Sequence, residues 1–222
     1  MKRTTPVLAR IALATGCLLM IGSCSQSKLG PRATFDAFEQ ALAGGEHYKL
    51  NALSSKASLD YFSGLQPWIL RGDEASIKGL SDFDRYMIYM IRMRLDFLER
   101  SDWEDWNESL LSEAKPHPIG GYLAELLDDA FFDTSLGTIE SIGDVTAGRL
   151  LRKGAPVGVS LGFSLEDGEW KINLARFFRD RFDRQLKPYL SDRYRNRDRL
   201  WEMLTETYGE RANRSLMASR LD

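Results

Sequence analysis

At Asp133 the hydrophobic pattern of this chain changes period. Before it, apolar residues recur every three or four positions; after it, they alternate one by one. A 3.6-residue period places one face of a helix in a core, and a two-residue period does the same for a strand. The helical half opens with Phe35, Phe38 and Leu42 in a helix expected over Ala33–Ala43, ended by Gly44-Gly45. Further helices are expected from Glu46 to about Leu53 and from about Lys56 to Phe62, where Pro67 interrupts. Others follow from Ser81 or Asp82 to about Glu99, over Asp102–Ala114, and from Tyr122 to about Phe132.

The alternating half predicts strands at Thr138–Val145 and Gly148–Lys153. Val157, Val159, Leu161, Phe163 and Leu165 then alternate with small or polar residues. Glu166-Asp167-Gly168 reads as a hairpin turn, with Trp170, Ile172 and Leu174 on the return strand. From Phe177 the pattern is helical again and strongly charged. Helices first and a strand meander after them predict an α+β fold, with N-terminal helices packed on a C-terminal antiparallel sheet and further helices in the middle and at the C-terminus.

Residue usage removes several kinds of chemistry. The two cysteines are Cys17 and Cys24, so the body after residue 24 has no thiol for a disulfide, a zinc cluster or a nucleophile. Two histidines, His47 and His117, supply a metal or catalytic centre poorly. No metal, cofactor or catalytic residue is assigned. The formal charge of −2 gives no global attraction to nucleic acid, and nucleic acid is not expected as a partner. Charge is uneven along the chain, however: from Arg176 onward there are twelve Lys/Arg against eight Asp/Glu.

Lys2, Arg3 and Arg10 precede an apolar run from Ile11 to Ile21, too short to span a bilayer as a helix of about 20 residues. Ile21-Gly22-Ser23-Cys24 follows directly. This resembles the bacterial lipobox: an aliphatic residue, two small residues, then the cysteine that carries the lipid. The resemblance implies cleavage between Ser23 and Cys24 and lipidation of Cys24; the alternative is an ordinary secretory signal in which Cys24 is incidental. Two or more acyl chains, at about 0.8 kcal/mol per buried CH₂, hold a protein stably on a membrane. Ser25 after the cysteine, by resemblance to enterobacterial sorting, favours the outer membrane, facing the periplasm. Residues 24–32 then form a polar tether, 33–178 the α+β domain, and 179–222 a charged helical extension.

The stretch ATFDAFEQALAGGEHYKLNALSS resembles the opening helix pair of small lipoproteins with an NTF2-like, or cystatin-like cone, domain, and FSLEDGEWKINL resembles its closing hairpin. The resemblance implies a curved sheet whose concave face and covering helices can enclose an apolar pocket. Tyr86, Met87, Met90 and Met93 are the candidate lining of that pocket, since Met adapts to irregular ligands. The simpler alternative is a helix buried on most sides. Trp103 and Trp106 stack on sugars in one reading and dock on the core in the other.

Some NTF2-like enzymes move protons with carboxylates inside the cone, and Asp128, Asp129 and Asp133 flank Phe131-Phe132, where burial would raise a carboxyl pKa. Consecutive acids are more simply a solvated face, as His117 is more simply a surface residue. Tyr194, Trp201, Leu204 and Tyr208 share one helix face, which either docks a partner or packs back on the domain. The functional expectation is a membrane-anchored envelope lipoprotein that binds an apolar ligand or another envelope protein, or serves as a scaffold, without catalysis. The alternative is an enzyme using the cone for acid/base chemistry on a small ligand.

Overall fold

The computed structural model describes residues 29–95, 123–142, 145–190, 198–212 and 217. The expected helix at Asp102–Ala114 with both its tryptophans, His117, Tyr194 and both cysteines lie outside these residues.

Helices α1 (Pro31–Ala43), α2 (His47–Leu53), α3 (Lys56–Arg71), α4 (Glu74–Lys78), α5 (Asp82–Leu95) and α6 (Ala124–Phe131) precede the sheet. Strands β1 (Thr134–Ile142), β2 (Val145–Arg152), β3 (Ala155–Glu166) and β4 (Glu169–Asn173) follow, then α7 (Leu174–Gln185), a short 3-10 turn at Lys187–Tyr189, and α8 (Arg199–Tyr208). The fold is α+β: one four-stranded antiparallel meander in the order β1-β2-β3-β4, with helices packed on it.

The inner face of the sheet presents Thr146, Leu150, Val159, Leu161, Phe163 and Ile172, all buried. Against it pack Phe35 and Phe38 of α1, Phe62 of α3, Phe131 of α6, and Phe177 and Phe178 of α7. Their rings meet at tilted or edge-on angles with centroids 5.1–6.2 Å apart (Phe38 on Phe131 at 5.4 Å, Phe177 on Phe131 at 5.1 Å), the geometry aromatic quadrupoles favour.

α1 lies across the sheet and is tied to both edge strands. Arg32 donates to the carbonyls of Leu136 and Gly137 on β1 at 2.6 and 2.5 Å, where a register shift between Leu136 and Ile139 breaks the ladder. Thr34 Oγ1 donates toward the Trp170 carbonyl of β4 at 3.4 Å. An edge strand exposes unpaired backbone groups; here a side chain occupies two of them.

The two-residue hairpin turns among the described residues place a lysine or aspartate and then a glycine in the left-handed region. Lys153 and Gly154 have φ of 50° and 79°, and Asp167 and Gly168 have 49° and 77°. Two consecutive positive φ values match the twist of the flanking strands, which is why glycine is favoured at such turns.

Four boundaries differ from expectation. α3 does not stop before Pro67 but runs through it to Arg71. Proline removes one helical N–H, and here tertiary contacts outweigh that loss: Ile69 and Leu70 are buried, and a buried arginine grips the end of the helix. β1 begins at Thr134 rather than Thr138, and β2 at Val145 rather than Gly148, because the irregularity after Leu136 hides the alternation of β1. Leu174 is not the last residue of the return strand but the first of α7, with the Asn173 side chain accepting from the Arg176 amide at 3.0 Å. α7 therefore crosses the expected boundary at 178/179, and its Phe177, Phe178 and Phe182 are all in the core.

Candidate functional site

The expected pocket lining lies deep in the molecule. Tyr86, Met87, Met90 and Met93 are buried, together with Phe83, Ile88, Tyr89 and Ile91 of the same helix, so α5 is covered on most sides. Tyr86 rests on Phe182 at 5.4 Å, and burial pushes its hydroxyl up to about 12, with nearby Tyr208 adding to the rise. A phenol so placed does not exchange protons near neutral pH.

Polar groups on α5 are buried as well. Arg92, fully enclosed, donates from Nε to the Ile69 carbonyl at 2.8 Å and from one terminal nitrogen to Trp68 and Gly72 at 2.7 and 2.6 Å. These are carbonyls at the C-terminal end of α3, where a helix leaves acceptors unsatisfied and its dipole favours a cation. Gly72 closes that end tightly: a Cβ there would stand 2.7 Å from the Trp68 carbonyl oxygen.

The C-terminal helical face turns toward the domain. Leu204 is buried, Trp201 meets Tyr89 edge-on at 5.4 Å, and Tyr208 packs partly against the core. Asp198 caps α8 by accepting from the Trp201 amide at 3.2 Å and also pairs with Arg85, which reaches Asp82 at 3.2 Å. Burial lowers the Arg85 guanidinium, but the Asp198 hydrogen bond and charge, with the Tyr89 and Asp82 charges, together outweigh it and raise the pKa. The Tyr89 hydroxyl beside this clasp is buried next to the Arg85 guanidinium; burial raises its pKa and Arg85 opposes the rise.

The acids around Phe131-Phe132 separate. Asp129 pairs with Arg94 of α5. Asp128 and Asp133, the second 3.9 Å from the Lys153 ammonium, border a surface groove of about 290 Å³ together with Glu39, Leu42 and Ala43 of α1 and both phenylalanines. Asp133 takes a left-handed φ of 54°, and the turn it makes leaves Phe132 74% exposed beside the groove. Burial raises the Glu39 carboxyl, with the Asp36 charge adding to it and a 3.4 Å hydrogen bond from Thr134 Oγ1 opposing it. An exposed ring beside three carboxylates suits an apolar group that carries a positive charge.

Glu39 was not singled out from sequence. Its spacing with Leu42 and Ala43, i, i+3 and i+4, puts the three on one helix face. Nothing local signals that this face meets residues some ninety positions later.

A second groove of about 290 Å³ runs between α1 and α2, bordered by Ala37, Gln40, Glu46, Lys49 and Leu53. Among the described residues there is no group of three or more potential metal ligands, and no helix is long and apolar enough to cross a membrane. No family model, curated protein or solved structure matches the chain.

Proposed function

We propose that this chain is a bacterial envelope lipoprotein, anchored through acyl chains on Cys24, whose domain binds a protein partner without catalysis. The anchor rests on one observation: an aliphatic residue, two small residues and a cysteine directly follow a basic segment and an apolar run of export length. Its proposed place is the outer membrane, facing the periplasm. The domain's proposed ancestry is NTF2-like, supported by the meander order and by α1 reaching both edge strands from the inner face of the sheet.

Binding at the surface is preferred to chemistry in a cone because aromatic, Leu and Met side chains occupy the inner face where a substrate would lie. The groove at Glu39, Asp128, Asp133 and Phe132 is the proposed partner site, for an envelope protein segment bearing an apolar residue next to Lys or Arg. The enzyme alternative would use the same carboxylates, and burial raises the pKa of Glu39.

Metabolic labelling with a palmitate analogue tests the anchor. Wild-type protein is expected to label and to sediment with membranes, and Cys24→Ser to do neither. Label retained on Cys24→Ser would rule the anchor out.

A further inference from the structure

We infer that the domain rests on the lipid surface through the apolar rim at one end of its sheet, formed by Ile142, Val145 and Leu165 with Leu29 beside it. This rests on the lipid-anchor reading above.

The strand register puts the three sheet residues at one level. Ile142 pairs with Val145 where β1 and β2 meet, and Thr146 pairs with Phe163, so Leu165 lies next to that level on β3. Parity places Ile142 and Val145 on the outer face and Leu165 on the inner one; the apolar side chains therefore straddle the rim. Ile142 is 79% and Leu165 58% exposed.

On β4 the chain enters at the same end, although on β1 Arg32 holds the Leu136 and Gly137 carbonyls, several residues short of Ile142. Leu165 pairs with Trp170, whose carbonyl accepts from Thr34, and the Thr34 hydroxyl also lies 3.1 Å from the Gly30 carbonyl. Leu29, half exposed, precedes Gly30. Cys24 lies only five positions before Leu29. A chain of that length spans at most about 18 Å, even fully extended.

The opposite end points away. α1 runs toward Thr134, which meets Glu39, and α7 runs back along β3 until Arg184 bonds the Gly158 carbonyl at 3.0 Å. Exposed Phe132 and Tyr189 belong to that far end.

Charge says which lipid surface fits. Glu140 and Asp167 lie near the rim, and Glu166 and Glu169 are engaged by the Lys56 amide at 2.9 Å and the Lys171 ammonium at 2.6 Å. Arg149 stands beside Glu140, Ile142 and Val145, so the charges at the rim are mixed and the contact draws on apolar burial rather than on attraction to anionic headgroups. It should therefore be insensitive to salt and no stronger on vesicles containing phosphatidylglycerol than on pure phosphatidylcholine.

The experiment uses the full lipidated protein in phosphatidylcholine vesicles, with a spin label at one introduced cysteine: Ile142→Cys, Leu165→Cys, Phe132→Cys or Tyr189→Cys. Mass spectrometry first reports whether Cys24 carries acyl chains; an unmodified Cys24 removes the anchor and the inference with it. With Cys24 acylated, labels at 142 and 165 are expected to collide more with oxygen and severalfold less with a water-soluble nickel chelate than labels at 132 and 189. Equal exposure at all four positions, or protection at 132 and 189 instead, would overturn the lipid contact while leaving the anchor intact. Protection that survives transfer to detergent and grows with protein concentration would mean that a second copy covers the rim, and would overturn it too. Leu165→Glu in the Ile142→Cys background separates fold from contact: it should leave the melting curve unchanged and return label 142 to water. Label 142 still shielded in that variant would overturn the inference.

Discussion

Ile142, Val145 and Leu165 stand exposed at the end of the sheet where α1 begins, and the acids near them are partly paired with Lys171 and the Lys56 amide. At the other end the exposed ring is Phe132, and it stands beside Glu39, Asp128 and Asp133. Both ends offer apolar surface beside a groove, but the first groove, of about 120 Å³, mixes Glu140 with Arg149, whereas the second sets three carboxylates around its ring. Apolar surface with charges of mixed sign suits a fluid, unspecific partner such as lipid. Apolar surface with charges fixed by helices suits a partner of defined shape. The difference arises from what meets the strands: one end carries the Asp167-Gly168 turn, while the other is where α1 and α6 close against β1.

The largest expected effect comes from the scaffold that both ends share. Arg92→Ala should cost at least about 3 kcal/mol by urea unfolding, because it empties a buried site and strands the carbonyls at the end of α3. Arg92→Lys should recover only part, since one ammonium cannot reproduce the planar fork. A near-silent Arg92→Ala would remove the common support assumed for the two ends.

Next is the α5–α8 clasp. Asp198→Ala should cost about 1–3 kcal/mol through loss of both the cap and the Arg85 partner. A double-mutant cycle with Arg85→Ala separates the two contributions. Tyr89→Phe, in the same clasp, should stay within about 1 kcal/mol of wild type in thermal melts, because Arg85, beside the hydroxyl it deletes, keeps Asp198 and Asp82.

The comparison itself is sharpened by Ile142→Ser and Phe132→Ser. Each should lie within about 0.5 kcal/mol of wild type in unfolding, as exposed residues do. Their effects on binding should differ: the first weakens vesicle contact, and the second weakens photocrosslinking from a probe placed at position 43. Identical effects would mean that the two ends do not divide the work.

The smallest effect is a pH dependence. Glu39 has a raised carboxyl pKa in the folded state, so the native state holds its proton more tightly than the unfolded chain does. Its contribution is therefore full below the unfolded value near 4.5 and is lost as pH rises through the folded value. Glu39→Gln should raise the melting temperature slightly at pH 7 and not at pH 4; an equal shift at both would exclude the carboxyl as the cause.

Sequence periodicity carried the α+β order, α1 with its glycine end, and the β3–β4 hairpin about Asp167-Gly168, because each is encoded within a dozen residues. It missed the continuation of α3 through Pro67, which depends on Arg92 more than twenty positions away. It leaves Tyr86 and the three methionines of α5 open between a pocket lining and a helix buried on most sides, because periodicity cannot tell a filled interior from a hollow one. The Asp128 and Asp133 pair was visible, but its third member Glu39 and the turn that exposes Phe132 come from tertiary packing and a left-handed Asp133.

The grip of Arg32 on β1 and of Thr34 on β4 has a mechanical consequence. A protein held by its N-terminus at a membrane feels any pull from its partner through the first turn of its first helix. Here that turn is fastened to both margins of the sheet within the first few residues of the fold. Tension would be shared across several strands at once instead of peeling α1 away turn by turn, so the domain should yield to force late and all together.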